Sequence, residues 1–550
     1  MFVRIKEKPN GKKAVQIVES YRRADKVSQK IVRHIGQATT ERELDELKRL
    51  AESIIVEVEN QRQPVLPLFK PEQIYGHKPK NEEITIDDTV KIRNLREEQR
   101  IIDGIGEVFG KLYDDIGLGQ ALGNTQMDES WNATLKACVL ARLANPVSKR
   151  RTASLLEQDY GIKIPLEKIY RMMDRLKVKE DEIRKRIVQS TLSLFRERVD
   201  VLFFDVTTLY FESIETDDLR EFGYSKDCKF KESQVVLALA TTTAGLPISY
   251  RLFPGNMYEG HTLIKMVDEL KKIYDVAQVL LVADRAMFNE ASLKLMEDQK
   301  IRYIVAAKLR GLPKALRQAI LEDDDFKPAV IEHEFHWTKE FAHNSRRLVV
   351  SYSSGRARKD AQDRARLIER LLKKVKDGKV KIKDVIPNYG SKKYLELKDK
   401  EAVVNETKIL EDAKWDGLHG VITNDSEMKV TELLSRYRGL WQIEESFRIN
   451  KHDLKMRPIY HWTPDRIRAH ILICFLAFAL AKQAVYRLGL TQQSMSFEQL
   501  REELLHVQSS LDKDITTGKH YIIPSRVTLN QKKIYQAFGL KRSDVPYPVG

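Results

Sequence analysis

VLFFDVTTLYFES, residues 201–213, decides the reading of this chain. Four apolar residues at 201–204 run into Asp205, and β-branched and aromatic residues continue beyond it. That pattern predicts a buried strand that delivers a carboxylate. An ionised acid in such a place needs a partner, because an unpaired buried charge is very costly. A metal ion is one candidate; an Asp that forms a turn or helix cap at the strand end is the other. VLLVADRAMFNE, residues 279–290, repeats the arrangement with Asp284, and Arg285 stands beside it. The third segment, YRGLWQIEESFRINK at 437–451, reads as a helix. Its Tyr437, Glu444 and Lys451 are seven apart and so lie almost above one another, with Trp441 and Arg448 on the same stripe. Leu440, Ile443, Phe447 and Leu454 form an adjoining apolar stripe suited to packing on a sheet. Glu445 is a rival to Glu444 but points about a quarter-turn away from the row. A surface helix with a Glu–Lys ladder is the plainer reading, and a row of Tyr, Trp, Glu, Arg and Lys beside a core face fits it less well.

Three carboxylates from two strands and a helix make a site for a hard cation. Two divalent ions roughly 3.5–4 Å apart supply both a nucleophilic hydroxide and a stabilised leaving oxygen for phosphodiester cleavage. Magnesium suits this, since it keeps waters and needs few protein ligands. Arg448 and Lys451 would hold neighbouring phosphates.

The bulk composition agrees. The 550 residues exceed a single core, so several domains are expected. Lys and Arg total 95 against 80 acids, a net charge of +15, which favours a polyanionic partner. Cys138, Cys228 and Cys474 show no paired metal spacing, which argues against a zinc ribbon or a disulfide framework and suits a reducing cytoplasm. The N-terminus has no apolar signal core, and ILICFLAFALA at 471–481 is too short to span a bilayer, so a buried helix and no membrane are expected.

Residues 2–18 alternate around Pro9-Asn10-Gly11 and predict a basic hairpin, followed by a helix capped by Thr40 and Glu43. TASLLEQDYGIKIPLEKIYRMMDRL, within a helical stretch from 100 to 196, is either a helix-turn-helix or an ordinary helical pair. Beyond 311 the strand-like EHEFHWTK and RRLVVSYSS precede a basic helix. From Arg356 to Asp384 there are twelve Lys and Arg against five acids, either a solvated face or a phosphate-tracking surface.

DVTT, ADR and YRGLWQIEESFRINK together resemble bacterial insertion-sequence transposases with a ribonuclease-H-like DDE domain. The match is with the cut-and-paste branch that has a Tyr…Glu…Lys signature helix and a β-rich insertion before the final Glu. The separations agree: 79 residues from Asp205 to Asp284 and 160 from Asp284 to Glu444, long enough for an inserted domain. The resemblance implies that Asp205, Asp284 and Glu444 are the catalytic metal ligands, with Mg2+ as cofactor and Mn2+ able to substitute. It implies that Tyr437 and Lys451 contact DNA phosphates near the cleaved end, and Arg448 and Arg285 complete the expected DNA contacts. One position departs: the signature has Arg three residues after Tyr, and here Leu440 stands there. Arg438 falls off the face, so Arg436 or Arg448 would have to substitute, and whether the route passes through a hairpin intermediate stays open. Trp415 is either a base-stacking residue or a residue packed under the insertion.

The expected architecture is a multidomain α/β protein: a ribonuclease-H-like catalytic core interrupted by a β-rich insertion, preceded by an N-terminal hairpin and a helical DNA-binding region. The expected boundaries are 1–60 for the hairpin and helix, 61–99 for a linker and 100–196 for helical DNA binding or dimerisation. The core is expected at 197–310 and 415–487, the insertion at 311–414, and a C-terminal region at 488–550. The expected function is a DNA transposase that cuts at the ends of its element and joins the 3′-hydroxyl ends to target DNA. Its partners would be double-stranded DNA, as terminal inverted repeats and target, and a second copy in a homodimer that pairs the ends. It would act in the bacterial cytoplasm at the nucleoid. Two alternatives stay open: a catalytically inactive transposase-derived DNA-binding protein, and a cellular repair or recombination nuclease of the same fold that cuts without joining.

Overall fold

The computed structural model describes residues 2–8, 13–23, 26–38, 44, 48, 51, 90–195, 201–211, 215–223, 232–257, 266, 280–284, 289–322, 325–377, 393–398 and 401–549. The chain divides into two compact units. One is Met1–Arg175 with Leu480–Gly550, and the other is Leu176–Ala479.

In the first unit β1 (Phe2–Glu7), β2 (Lys13–Arg23) and β3 (Lys26–Ala38) form an antiparallel meander. The expected hairpin is its first half, and β3 was not anticipated. The Pro9-Asn10-Gly11 turn and the Thr40–Glu43 cap lie outside the described residues. Val15 and Ile17 of β2, Ala38, and the helical residues Leu44 and Ala51 close a small core. Next come β4 (Leu95–Ile102), α1 (Gly104–Asp115), α2 (Gln126–Ala144), α3 (Lys149–Tyr160) and α4 (Leu166–Phe195). Thr125 and Asp128 form a capping box that starts α2, and Gly161 ends α3 in the left-handed conformation at φ 67°. The helical pair expected at 152–176 is therefore α3 and the first turns of α4.

The second unit is built on a nine-stranded sheet. Its elements are β5 (Val201–Tyr210), β6 (Gln234–Thr241), β7 (Pro247–Pro254), β8 (Leu280–Ala283), α5 (Glu290–Asp298), β9 (Arg302–Ala307), α6 (Lys314–Leu321), β10 (Lys327–Ile331), β11 (Glu334–His343) and β12 (Arg346–Tyr352). They are followed by α7 (Ser354–Lys376), the small hairpin β13 (Leu395–Lys398) and β14 (Glu401–Val404), α8 (Glu406–Ala413), β15 (Leu418–Thr423), α9 (Val430–Arg438) and α10 (Trp441–Arg448). The strand order is β10-β11-β12-β15-β9-β8-β5-β6-β7. β8 runs parallel to β5 and β9, and the other pairings are antiparallel. One face of the centre is sealed by Leu202, Phe204 and Val206 of β5 and Leu281 and Ala283 of β8, packed with Val188 and Leu192 of α4 and Leu293 and Met296 of α5.

This order corrects the boundary expected at 311–414. β10, β11 and β12 do not make a sheet of their own; they extend the central sheet beyond β15. The physical reason lies in β12. Leu348, Val349 and Val350 are all fully buried, so both faces of the strand are covered, as only an interior strand allows. Pro328 in β10 sits on the outermost strand, where a missing N–H costs no ladder bond. Among the described residues of the stretch, only β13 and β14 pair apart from the main sheet.

After α11 (Pro464–Leu490) come α12 (Phe497–Leu505), β16 (Gln508–Asp514), β17 (His520–Pro524), α13 (Leu529–Ala537) and β18 (Tyr547–Val549). α11 contains the apolar run at 471–481. It is long and apolar enough to cross a membrane, but 83% of its most apolar window is buried inside the protein. The stretch at 488–550 is not a separate region. Its strands form a sheet in the order β18-β17-β16-β4, so Leu480–Gly550 completes the first unit. Arg542 ties the two ends together by pairing with Asp103 at 2.6 Å and Glu107 at 3.0 Å.

Candidate active site

β5 and β8 lie side by side and parallel, with Phe203 opposite Val282 and Phe204 opposite Ala283. One step further along each strand stand Asp205 and Asp284. Residues two apart in a strand share a face, so Asp205 goes with Phe203 and Asp284 with Val282. The two acids are therefore neighbours across a strand spacing of about 4.8 Å, on the face opposite the sealed core. Asp205 is half-buried and Asp284 is exposed. Asp205 Oδ1 accepts the Val206 amide at 2.7 Å.

α9 packs over β8, β9 and β10, and α10 packs over β5 and β6. The helix expected over 437–451 is not continuous. It tightens at Gly439 and Leu440, where Leu440 N–H bonds to Tyr437 O at 3.1 Å and Ile443 N–H to Leu440 O at 3.1 Å, and it widens to a π-turn over Ile449–Asp453. Leu440, Ile443, Phe447 and Leu454 are buried, as their spacing predicts. Gly439 also packs tightly on the sheet: a Cβ there would lie 2.5 Å from Cζ of Phe203, two residues before Asp205. Gly439 has φ −58°, which any residue adopts, so space alone demands glycine there. Gly439→Val should cost about 1–3 kcal/mol through overpacking and reduce DNA cleavage, because α10 carries Glu444. Adding Phe203→Leu should recover part of both losses. A Gly439→Val protein with the wild-type unfolding midpoint would show that the contact yields freely.

Tyr437 links the helix to the sheet. Its hydroxyl is pushed well above its ordinary range, first by burial, then by the Asp284 carboxylate, with Glu444 adding to it and Arg356 opposing it. One side chain thus feels an acid from each element. Its ring lies against that of His419 on β15, with centroids 5.0 Å apart. Burial, with Arg356 nearby, pushes His419 down to about 4, so its imidazole is neutral at pH 7. His419 and Arg356 were not anticipated as site residues. A lone His in GLHGVIT carries no spacing signal, and Arg356 is one of many cations on its helix.

The remaining expected residues fall as follows. Arg448 is paired with Asp453 at 3.3 Å, Arg436 with Glu432 at 2.7 Å, and Arg438 with Glu334. Lys451 is half-buried within the π-turn. Arg285 lies outside the described residues. Trp415 packs with Leu309, Leu348 and Val350, which favours its structural reading.

Asp205, Asp284 and Glu444 supply only oxygen donors, the type that divalent magnesium or manganese takes. Register places two of them side by side, and the covering helix carries the third. Among the described residues no three His, Cys, Asp or Glu side chains already stand close enough to hold a metal ion. The donor set therefore fits such an ion in kind and in placement on the fold, without a closed cage of side chains.

A mixed sheet with strand-borne acids beneath an acid-bearing helix defines the class, an α/β catalytic domain with one carboxylate-lined face. The sequence matches the family described as transposase DDE domain over residues 198–480, more than half of the chain. Residues 2–65 match the IS1634 family transposase N-terminal domain. The chain belongs to the DDE transposase family and is a DNA transposase, a metal-dependent enzyme that cleaves DNA and transfers strands. No curated protein matches the sequence. Among solved structures, the cryo-EM structure of the piggyBac transposase synaptic complex with hairpin DNA aligns with 73% of this chain and 76% of that chain, at 10% identity and a TM-score of 0.35. The crystal structure of the Mos1 mariner paired end complex with Mn aligns with 34% of this chain and 60% of that chain, at 13% identity and a TM-score of 0.14. Likenesses this distant transfer no residue roles.

Proposed function

We propose that this transposase cuts at the ends of its own insertion sequence and joins the freed 3′-hydroxyl ends to target DNA, with Asp205, Asp284 and Glu444 holding magnesium. The observation that carries this reading is the register of β5 and β8, which makes Asp205 and Asp284 neighbours on the face covered by α9 and α10. The ions, when bound, would stabilise charge on the attacking and leaving oxygens of the phosphodiester. The protein's own part is to align the DNA. Tyr437, kept protonated, donates a hydrogen bond to a phosphate oxygen. Lys451 and Arg448 supply positive charge further along the helix, and Arg285 does so beside Asp284. We read the centre of the sheet as ribonuclease-H-like, because β5 joins the antiparallel β6 and β7 to the parallel β8 and β9. The first unit, with its basic N-terminal strands, recognises the terminal repeats. A homodimer pairs the two ends in the bacterial cytoplasm at the nucleoid.

The test uses the intact protein and a duplex with the inverted repeat found beside the coding region. In Mg2+ or Mn2+ it should nick at the repeat end and join that end to a second duplex. Nicking without joined product would favour the nuclease alternative. Binding with neither step in either metal would favour an inactive DNA-binding descendant.

A further inference from the structure

The place of the missing signature arginine is filled by Leu440, which is buried and apolar. The helix stripe therefore offers no cation in the turn next to Tyr437, and it becomes basic only further along, at Arg448 and Lys451. Of the arginines on or beside that helix, Arg436, Arg438 and Arg448 are each engaged by a carboxylate. The cation that does reach Tyr437 comes from elsewhere in the sequence. Arg356 sits in the first turn of α7, and its charge acts on both Tyr437 and His419.

The placement of that turn is fixed by backbone geometry. Gly417 packs so closely on α7 that an added Cβ would lie 2.8 Å from Cβ of Ala357 and 2.8 Å from Ser353 O. Gly417 O accepts from Ser353 N–H at 3.1 Å, and Gly417 N–H donates to Asp360 Oδ2 at 3.0 Å. Two residues after Gly417 comes His419, whose ring lies on Tyr437. The start of α7 is thus clamped to the strand that supports Tyr437. Among the described residues the only carboxylate in ion-pairing range of Arg356 is Asp360, at 3.8 Å, and that oxygen is already held by Gly417. The Arg356 side chain is 51% exposed. His419 cannot supply the charge, since it is neutral at working pH.

We propose that Arg356 grips a DNA phosphate together with the Tyr437 hydroxyl, delivering from α7 the positive charge that the signature helix lacks at Leu440, with His419 as the positioning residue beneath Tyr437. This rests on the reading of the acid-lined face as the place where the transposon end lies. A guanidinium offers planar paired donors to a phosphate, and a neighbouring phenol adds a third. The basic run that follows Arg356 along α7 then has a direction, because it begins at the scissile region and leads away from it.

The experiment measures binding of the inverted-repeat duplex in EDTA, where no cleavage occurs, across a salt series for wild type, Arg356→Gln and Arg356→Lys. Neutralising one phosphate contact lowers the slope of log affinity against log salt by about 0.9. Arg356→Gln should show that loss and bind about tenfold more weakly at low salt, with an unchanged unfolding midpoint. Arg356→Lys should recover the slope, and only part of the affinity, because a point charge lacks the paired donors. A wild-type slope in Arg356→Gln overturns the proposal, as does an equal loss in Arg356→Lys. Failure of the underlying reading looks different: wild type itself would then not bind the duplex, or Asp205→Asn would cleave it normally.

Discussion

Asp205→Asn will still bind the transposon end, and it will cleave it at least about a thousandfold more slowly, the equivalent of roughly 4 kcal/mol of lost barrier reduction. Asp284→Asn and Glu444→Gln will behave alike. The changes are nearly isosteric and lie on a face that α9 and α10 cover, so folding should survive. What disappears is negative charge that a divalent ion requires. A sharper version exchanges Asp284 for Cys. A thiolate is a poor ligand for magnesium and a better one for softer ions, so activity lost in Mg2+ should return in part in Mn2+. Glu445→Gln, one residue from Glu444 on a different face, should cleave as wild type. Full cleavage by any of the three acid variants in Mg2+ would remove that residue from the site. Loss of activity in Glu445→Gln with retention in Glu444→Gln would reassign the helix ligand.

The second large effect concerns the end of the chain. A protein stopped after residue 490 should lose the fold of its first unit while residues 201–479 stay protected from protease. Phe497, Leu500, Leu504, Leu511 and Ile534 are all buried in that unit. Phe497 meets Phe109 of α1 edge-on at 6.3 Å between ring centroids. At about 1.5–3 kcal/mol for each buried side chain, their removal forfeits roughly 8–15 kcal/mol, as much as the whole stability of a typical domain. β4 would also lose β16, its only strand partner among the described residues. For the same reason a fragment that ends near residue 196 should not bind DNA ends as an independent piece. Protease resistance of residues 90–175 in the shortened protein, with end binding intact, would reject this account.

The parts of the fold and site that were legible are those that local pattern controls. The apolar runs before Asp205 and Asp284 are strands, and the four-residue stripe from Leu440 to Leu454 is buried. Both follow from side-chain period, which any window of a dozen residues reveals. The pairing of Asp205 with Asp284 is a matter of register between distant strands, and nothing in either segment states it. The β4 and β16 partnership was invisible for a related reason. LREEQRII and QSSLDKD are mostly polar, and their ladder joins residues some four hundred positions apart. β11 and β12 were recognised as strands but given the wrong sheet, because strand character does not name a neighbour, and β10 was not recognised at all. His419 was missed because its importance lies in the ring it touches.

Seen by order of synthesis, the catalytic unit is the guest and the outer unit the host. Every residue of Leu176–Ala479 is made after β4 and before β16. At about 5–20 residues per second, β4 leaves the ribosome tens of seconds ahead of the strand that completes its sheet. The cutting machinery can therefore fold while the unit assigned to recognising the ends is still unfinished. A chain abandoned part-way would hold its carboxylates on a folded sheet and have no completed means of choosing where to use them. On the proposed assignment of end recognition to the first unit, that timing makes the strands from β16 onward a licence: reading of the ends waits on their synthesis.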